Sequence, residues 1–216
     1  MTIKLLRHGE SLANVVGDDQ LALADHQIPL TETGITQARA VGETLGAEYL
    51  QDALIYTSPF LRTRQTLTAL LEGANLAPSQ VLVREDPRLR EVEHGYSDVK
   101  GQYCLIETYG HFYYRYQGGE SPADCYDRVS SFLASFVRNI KKTSSKRALI
   151  VTHGLALRVF VMRFMHLTVE QFDLIANPRN ADIITIANVQ ELDKDNCLFI
   201  SGKWGVEGLR QYQHKS

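Results

Sequence analysis

The chain has 216 residues, of which 44% are hydrophobic and 22% are charged, and its formal net charge is −2 at pH 7. This size suits one large globular domain or two small ones, and the apolar fraction is sufficient for a substantial core. The near-neutral charge gives no general attraction to nucleic acid or to an anionic membrane, so an anionic ligand would need a local cluster of positive side chains.

Strand-like and helix-like segments alternate through the first half of the chain. Residues 3–6 predict a first strand, and Thr31 is the expected N-cap of a long amphipathic helix. Residues 53–56 predict a second strand, which ends at Ser58-Pro59, a pair expected to cap the next helix. A short edge strand is predicted at residues 81–83. This alternation is typical of an α/β sheet.

The middle of the chain differs in composition from the rest. Seven aromatic residues lie between Tyr96 and Tyr116, and glycines interrupt the stretch. We predict that residues from about 92 to 120 form a helical and aromatic insertion over the main sheet, here called the cap. Two interpretations stay open, because the aromatic side chains either line a ligand site or only pack the cap onto the sheet.

The second half of the chain completes the predicted fold. Ser121-Pro122 should begin a long helix with a continuous apolar stripe. Residues 148–152 form an apolar run typical of a central parallel strand, and residues 183–187 and 198–200 should complete the sheet. We therefore predict a single domain over residues 1–216 with a three-layer α/β/α sandwich, a mostly parallel central sheet and an antiparallel edge strand.

The cysteines and the hydropathy indicate a reducing, aqueous compartment. Cys104, Cys125 and Cys197 match neither a metal site nor a disulfide framework, so we interpret them as reduced thiols. Residues 1–6 enter a strand-like pattern without the apolar segment of a signal peptide. No apolar run reaches the roughly 18 residues of a membrane span. We expect a cytoplasmic protein with no membrane and no nucleic-acid partner.

Four polar clusters follow the ends of predicted strands. They contain Arg7-His8, Arg62, Glu91 and His153. Each has an ordinary structural explanation when taken singly, since a histidine at a strand end is commonly a core residue and an arginine in a first helical turn is commonly exposed. The carboxyl ends of parallel strands are nevertheless the edge at which ligands bind in α/β sheets, so we expect the four clusters to meet.

These clusters belong to six motifs that occur in a fixed order. The motifs are Arg7-His8-Gly9-Glu10-Ser11 followed by Asn14, Pro29-Leu30-Thr31 with Gly34 and Gln37, Ser58-Pro59 with Arg62 and Gln65, Leu89 with Glu91 and Gly95, Gly119-Glu120-Ser121 with Asp124 and Arg128, and Thr152-His153-Gly154 with Leu157 and Arg158. Together they resemble the signature of the histidine phosphatase superfamily, in its phosphoglycerate-mutase-like branch. The resemblance implies metal-independent hydrolysis of a small-molecule phosphate ester without a cofactor.

The resemblance also implies a role for each residue of the site. His8 is the expected nucleophile that becomes phosphohistidine, with its other ring nitrogen donating to a backbone carbonyl. Arg7 and Arg62 would hold the phosphate as bidentate forks. Asn14 would donate a further hydrogen bond, and His153 would add a donor, most usefully as imidazolium.

Two of these assignments have competitors nearby in the sequence. Glu91 matches the general acid that protonates the leaving oxygen, and Glu93 is the alternative carboxyl group. Arg64 competes with Arg62, but two residues along a helix turn its side chain by about 200°. Gly9 is expected to adopt a tight turn that other residues resist.

Two further functions remain as alternatives to hydrolysis. One is a phosphoglycerate-type phosphomutase, which the resemblance disfavours because the cap offers few cations, namely Lys100 and Arg115. The other is a non-catalytic module that binds a phosphorylated ligand, which the complete set of expected residues disfavours. The sequence does not indicate an oligomeric state.

Overall fold

The computed structural model describes residues 1–17, 21–95 and 100–212. Its strands are β1 (Thr2–Arg7), β2 (Ala53–Thr57), β3 (Val83–Glu85), β4 (Arg147–Thr152), β5 (Ile183–Asn188), β6 (Cys197–Ser201) and β7 (Trp204–Glu207). The helices are α1 (Leu12–Val16), α2 (Glu32–Gln51), α3 (Leu61–Gly73), α4 (Tyr103–Tyr109), α5 (Pro122–Thr143), α6 (Gly154–Met165) and α7 (Val169–Asp173). The strands form one sheet in the order β3-β2-β4-β1-β5-β7-β6.

The sheet is parallel on one side and antiparallel on the other. Strands β3, β2, β4 and β1 pair in parallel, whereas β5, β7 and β6 pair antiparallel. The predicted parallel sheet with an antiparallel edge is confirmed, although that edge has three strands. The third, β7, was not predicted, because its four residues include Gly205 and are too short for a visible alternation.

Helices cover both faces of the central strands. Ile3, Leu5 and Ile150 pack into the cluster of α5 and α6, while Leu6 and Leu149 point to the opposite face, toward α2 and α3. This alternation follows from the period of two in a β-strand, and burial on both faces explains why β4 is almost entirely apolar. The three-layer sandwich predicted from the sequence is confirmed.

The helix boundaries test the predicted caps. The side chain of Thr31 accepts a hydrogen bond from the N–H of Gly34, so the N-cap of α2 is confirmed. Ser121 caps α5 in the same way. The capping role predicted for Ser58-Pro59 is wrong, because α3 begins only at Leu61 and has Phe60 at its N-cap. Strand β3 likewise begins at Val83, at the end of the predicted segment.

The described part of the cap packs inward through three aromatic side chains. Phe112, Tyr114 and Tyr116 are buried. Phe112 meets Phe172 of α7 edge-on with 5.4 Å between ring centroids, and the Tyr114 hydroxyl donates to Gln102 Oε1 over 2.6 Å. These contacts support the packing interpretation of the aromatic residues. Tyr96, which the prediction included, lies outside the described residues.

The thiols and the helices agree with the composition. Cys104, Cys125 and Cys197 are free thiols, and the buried Cys125 belongs to the main core. Within the described ranges, no helix is both long and apolar enough to cross a membrane. The single-domain organisation of residues 1–216, with the cap as an insertion, stays a prediction.

Candidate active site

A cavity of about 400 Å³ lies beyond the carboxyl end of β1. Five residues predicted for the site line it, namely Arg7, His8, Asn14, Arg62 and Glu91. A larger and more open depression, lined by Lys4 and Tyr49, contains none of the predicted site residues. The smaller cavity is therefore the candidate active site, because the chemistry-bearing side chains converge there.

His8 follows the last residue of β1 and is 4% exposed. Its Nδ1 atom lies 2.7 Å from the carbonyl oxygen of Gly9. A carbonyl can only accept, so Nδ1 carries the proton and Nε2 has a free lone pair. Burial lowers the pKa of His8 to about 3, with a further contribution from the charges of Arg62 and Arg7. The expected anchoring of the unprotonated nucleophile is present in this geometry.

Gly9 is required by a close approach of two chain segments. A Cβ atom at Gly9 would lie 2.4 Å from the carbonyl oxygen of Gly34, and one at Gly34 would lie 2.1 Å from the carbonyl oxygen of Glu10. Gly9 is absent from the glycines with positive φ. The unusual backbone angles predicted for Gly9 are therefore wrong, and the reason for glycine is the space taken by the start of α2.

Two arginines line the cavity with His8, and each is held by the protein. Arg7 donates through Nη1 to the carbonyl of Pro178, while its buried Nε finds no hydrogen-bond partner in the described ranges. Arg62 is buried, and its Nη1 donates to the backbone oxygen of Asp25 over 2.6 Å and to its Oδ1 over 2.7 Å. Burial lowers the pKa of Arg7, but a guanidinium keeps its charge at any working pH.

The choice between neighbouring candidates is decided by burial and contacts. Arg64 is exposed, as its position on α3 predicts, whereas Arg62 lines the cavity. Glu91 and Glu93 both line the cavity, but the Glu91 carboxyl group is held inside while Glu93 is exposed. The geometry therefore favours Arg62 and Glu91 as the inner pair.

Glu91 rests on the N-terminus of α6. Its Oε1 accepts from the N–H groups of Val92 and Ala156, over 3.0 and 3.1 Å, and its Oε2 accepts from Leu155 over 3.1 Å. Backbone N–H groups and the helix dipole at such an N-terminus stabilise a carboxylate. These bonds fix the position of the carboxyl group relative to the cavity.

His153 lies behind His8 and is fully buried. The ring centroids are 5.3 Å apart at an interplanar angle of 65°, and Nε2 of His153 lies 2.8 Å from the Ser58 hydroxyl. Burial lowers the pKa of His153 well below its ordinary value, helped by the charges of Arg62 and His8. This lowering disfavours the expected imidazolium, and His153 is not among the lining residues of the cavity.

Asn14 bonds to Ser11 at the start of α1, and it also lines the cavity. Its Oδ1 accepts from the backbone N–H and the hydroxyl of Ser11, each over 3.1 Å, and from the amide of Asn180 over 2.8 Å. The amide nitrogen of Asn14 is thus the atom that can donate toward a bound anion. Ser11 is the N-cap of α1.

Several supporting residues were missed by reasoning from the sequence. Asp25 holds Arg62, and Ser58 bonds to His153 rather than capping a helix. Arg128 donates to the backbone carbonyls of Arg88, Arg90 and Glu91, which anchors the segment that carries the predicted acid. Ser58 and Arg128 were visible as motif positions, but Asp25 had no local signal, because a lone aspartate before a helix is common.

Across residues 1–17, 21–95 and 100–212, no group of three or more histidine, cysteine or carboxylate side chains is placed to hold a metal ion. The cavity combines the His8 imidazole and two guanidinium groups with three carboxyl groups, of which that of Glu91 is held inside. Such a set suits transfer of a phosphoryl group, in which positioning and charge stabilisation dominate.

Comparison with known proteins gives a consistent result. A family model of the histidine phosphatase superfamily (branch 1) matches residues 3–191. Phosphoglycerate mutase-like protein AT74 of Arabidopsis thaliana is 38% identical over 200 residues, which cover 84% of this chain and 63% of that protein. Phosphoserine phosphatase 1 of Hydrogenobacter thermophilus is 32% identical over 177 residues, which cover 78% of each chain.

A solved structure shares the fold of this chain. Mycobacterial glucosyl-3-phosphoglycerate phosphatase Rv2419c superposes with a TM-score of 0.72 over 96% of this chain and 97% of its own, at 23% identity. This chain spans less than two thirds of the length of AT74. The family model, in contrast, covers every residue that the cavity brings together. The chain belongs to the histidine phosphatase superfamily.

Proposed function

We propose that the protein hydrolyses small-molecule phosphomonoesters through a phosphohistidine intermediate on His8, without a metal ion. The observation that carries this proposal is a neutral His8 whose Nδ1–H is anchored to the Gly9 carbonyl. His8 lines a cavity of about 400 Å³ together with Arg7 and Arg62, whose charges act on its ring. A nucleophile of this kind needs no base to remove a proton from it before attack.

In the first step, the phosphate of the substrate binds between the two guanidinium groups. Nε2 of His8 attacks phosphorus and forms a P–N bond while the bond from phosphorus to the leaving oxygen breaks. Arg7 and Arg62 neutralise the charge on the equatorial oxygens, for which the Nε of Arg7 is a buried donor without a partner in the described ranges. The carboxyl group of Glu91 gives its proton to the leaving oxygen.

In the second step, water takes the place of the leaving group. The Glu91 carboxylate accepts a proton from this water, whose oxygen attacks phosphorus, and the P–N bond breaks to return neutral His8. The N–H groups of Val92, Leu155 and Ala156 support this step, because they hold the carboxylate oxygens in position in the cavity wall.

Two further residues complete the proposed site. The amide of Asn14 donates to a phosphate oxygen, since its Oδ1 is already occupied. His153 packs against His8 and is held by Ser58, and its Nδ1 is a buried ring nitrogen without a partner in the described ranges. We propose that this Nδ1 contacts the phosphate once the ester is bound.

The test is phosphate release from a panel of phosphomonoesters in the presence of EDTA. We expect turnover by the wild type and a loss of at least about 1000-fold in His8→Ala. His166→Asn is the matched control, because His166 is exposed at the end of α6 with a φ of 57°, which asparagine tolerates. A labelled phosphoryl group should be trapped on His8. Undiminished turnover by His8→Ala would contradict the assignment.

The alternatives make different predictions in the same assays. A phosphomutase would exchange phosphoglycerate isomers, dependent on a doubly phosphorylated primer, faster than it releases phosphate. A non-catalytic binding module would bind phosphate esters without product and without a labelled histidine. The cytoplasm stays the predicted compartment.

A further inference from the structure

The wall of the cavity carries more negative than positive side chains. Its described cations are the two guanidinium groups of Arg7 and Arg62, and its described carboxyl groups belong to Asp25, Glu91 and Glu93. A bound phosphate dianion adds two further negative charges. Any additional anionic group on the same ligand would then lie in a cavity without a compensating cation in its described lining.

Both arginines already donate hydrogen bonds to oxygen atoms of the protein, which leaves fewer donors for a second anionic group. Nη1 of Arg62 donates twice to Asp25, and Nη1 of Arg7 donates to Pro178. The remaining donors of the two groups suit the single phosphate that His8 attacks. Asp25 has a side chain that is 35% exposed, Glu93 is exposed, and both line the cavity, so both add negative charge to the wall that a leaving group would meet.

The sequence on either side of the lining residues is more acidic than basic. Residues 18–20 and 96–99 include Asp18, Asp19 and Asp98 and no lysine or arginine, and Lys100 is the first cation after Gly95. Arg115 of the cap is exposed and paired with Asp124. His94 also lines the cavity, and the experiment is run at pH 7.5.

We propose that Asp25 and Glu93 select against leaving groups with a second negative charge, so that the substrates are monoesters of neutral or cationic alcohols. The mouth repels a carboxylate or a second phosphate, whereas a hydroxyl or an ammonium group meets no like charge. This inference rests on the proposed phosphatase function and narrows its substrate class.

The test compares three substrates with two-carbon leaving groups that differ in charge. They are 2-hydroxyethyl phosphate, phosphoethanolamine and 2-phosphoglycolate, assayed for phosphate release at pH 7.5 and low ionic strength. We expect kcat/KM for phosphoglycolate to be about ten-fold below that for hydroxyethyl phosphate, from one unscreened like-charge contact. Phosphoethanolamine should be hydrolysed at least as well as hydroxyethyl phosphate. Equal or faster hydrolysis of phosphoglycolate would overturn the proposal.

The two carboxylates are tested by variants that keep their shape. Glu93→Gln and Asp25→Asn should each raise the ratio of kcat/KM for phosphoglycolate to that for hydroxyethyl phosphate by about three-fold or more. The amide oxygen introduced at position 25 can still accept from Arg62. Glu107→Gln, at an exposed position of α4, is the control and should leave the ratio as in the wild type. An unchanged ratio in both pocket variants would contradict their assignment.

Failure of this inference can be told apart from failure of the proposed function. If none of the three esters releases phosphate, or if His8→Ala retains turnover, the phosphatase mechanism itself is wrong. If all three are hydrolysed through His8 at similar rates, the mechanism holds and the selection by charge is wrong.

Discussion

The neutral state of buried His8 can be tested through acid stability. Burial and the neighbouring arginines lower the pKa of His8 from 6.5 to about 3. In the unfolded chain the ring is hydrated and regains its ordinary pKa. Between these two values the unfolded chain binds a proton that the folded protein does not, so the free energy of unfolding falls as the pH falls.

The size of this effect follows from the two pKa values. Each pH unit within that window costs about 1.4 kcal/mol. Lowering the pH from 7 to 5 therefore removes about 2 kcal/mol through His8 alone. The figure depends little on the exact folded pKa, because His8 is neutral in the folded protein throughout this range. His8→Gln removes the titrating ring, so its stability should fall by about 2 kcal/mol less than that of the wild type.

The assay is urea unfolding at pH 7 and pH 5, followed by circular dichroism and tryptophan fluorescence. The buffers keep ionic strength constant and contain no phosphate, because a ligand of the folded state would add its own stabilisation. The control His166→Asn, at an exposed position, should lose as much stability as the wild type. If His8→Gln and the wild type lose equal free energy, His8 is protonated in the folded protein and the reasoning is refuted.

Three further substitutions test the site and its scaffold. Glu91→Gln should lower kcat/KM for an alkyl phosphate by about 100-fold and for 4-nitrophenyl phosphate by much less, because nitrophenolate leaves without a proton; equal losses would contradict the acid role. Asp25→Ala should lower kcat/KM about ten-fold in steady-state assays, since it frees the Arg62 guanidinium, while Asp25→Asn should retain more activity. Gly9→Ala should lower the free energy of unfolding by about 3 kcal/mol in urea, because its Cβ would meet the Gly34 carbonyl at 2.4 Å; a small loss would show that the two segments separate easily.

Features with a strong local cause were predicted well. Thr31 and Ser121 cap helices because a side-chain oxygen reaches an N–H three residues ahead, which depends on neighbouring residues alone. The apolar run of β4 predicted a central strand for a similar reason, since burial on both faces leaves no room for polar side chains. Ser58 was misjudged, because its hydroxyl is used by His153, a residue 95 positions away.

The candidate active site also contains some features that the sequence predicted and others that it did not. The ordered motifs identified His8, Arg62 and Glu91, and the cavity brings all three together. The protonation state of His153 was not accessible from the sequence, because it depends on complete burial next to Arg62 and His8. The contact of Asp25 with Arg62 was equally hidden, since 37 residues separate them in the chain.

The sequence by itself determined the family, the layered fold and the residues that meet at the carboxyl edge of the sheet, because local periodicity and ordered motifs encode these features. Only the tertiary structure decided that burial lowers the pKa values of His8 and His153, that Glu91 rests on the start of α6, and that Phe112, Tyr114 and Tyr116 of the cap pack inward. Burial, charge and hydrogen bonding at these positions arise between segments distant in the chain, so no local pattern records them.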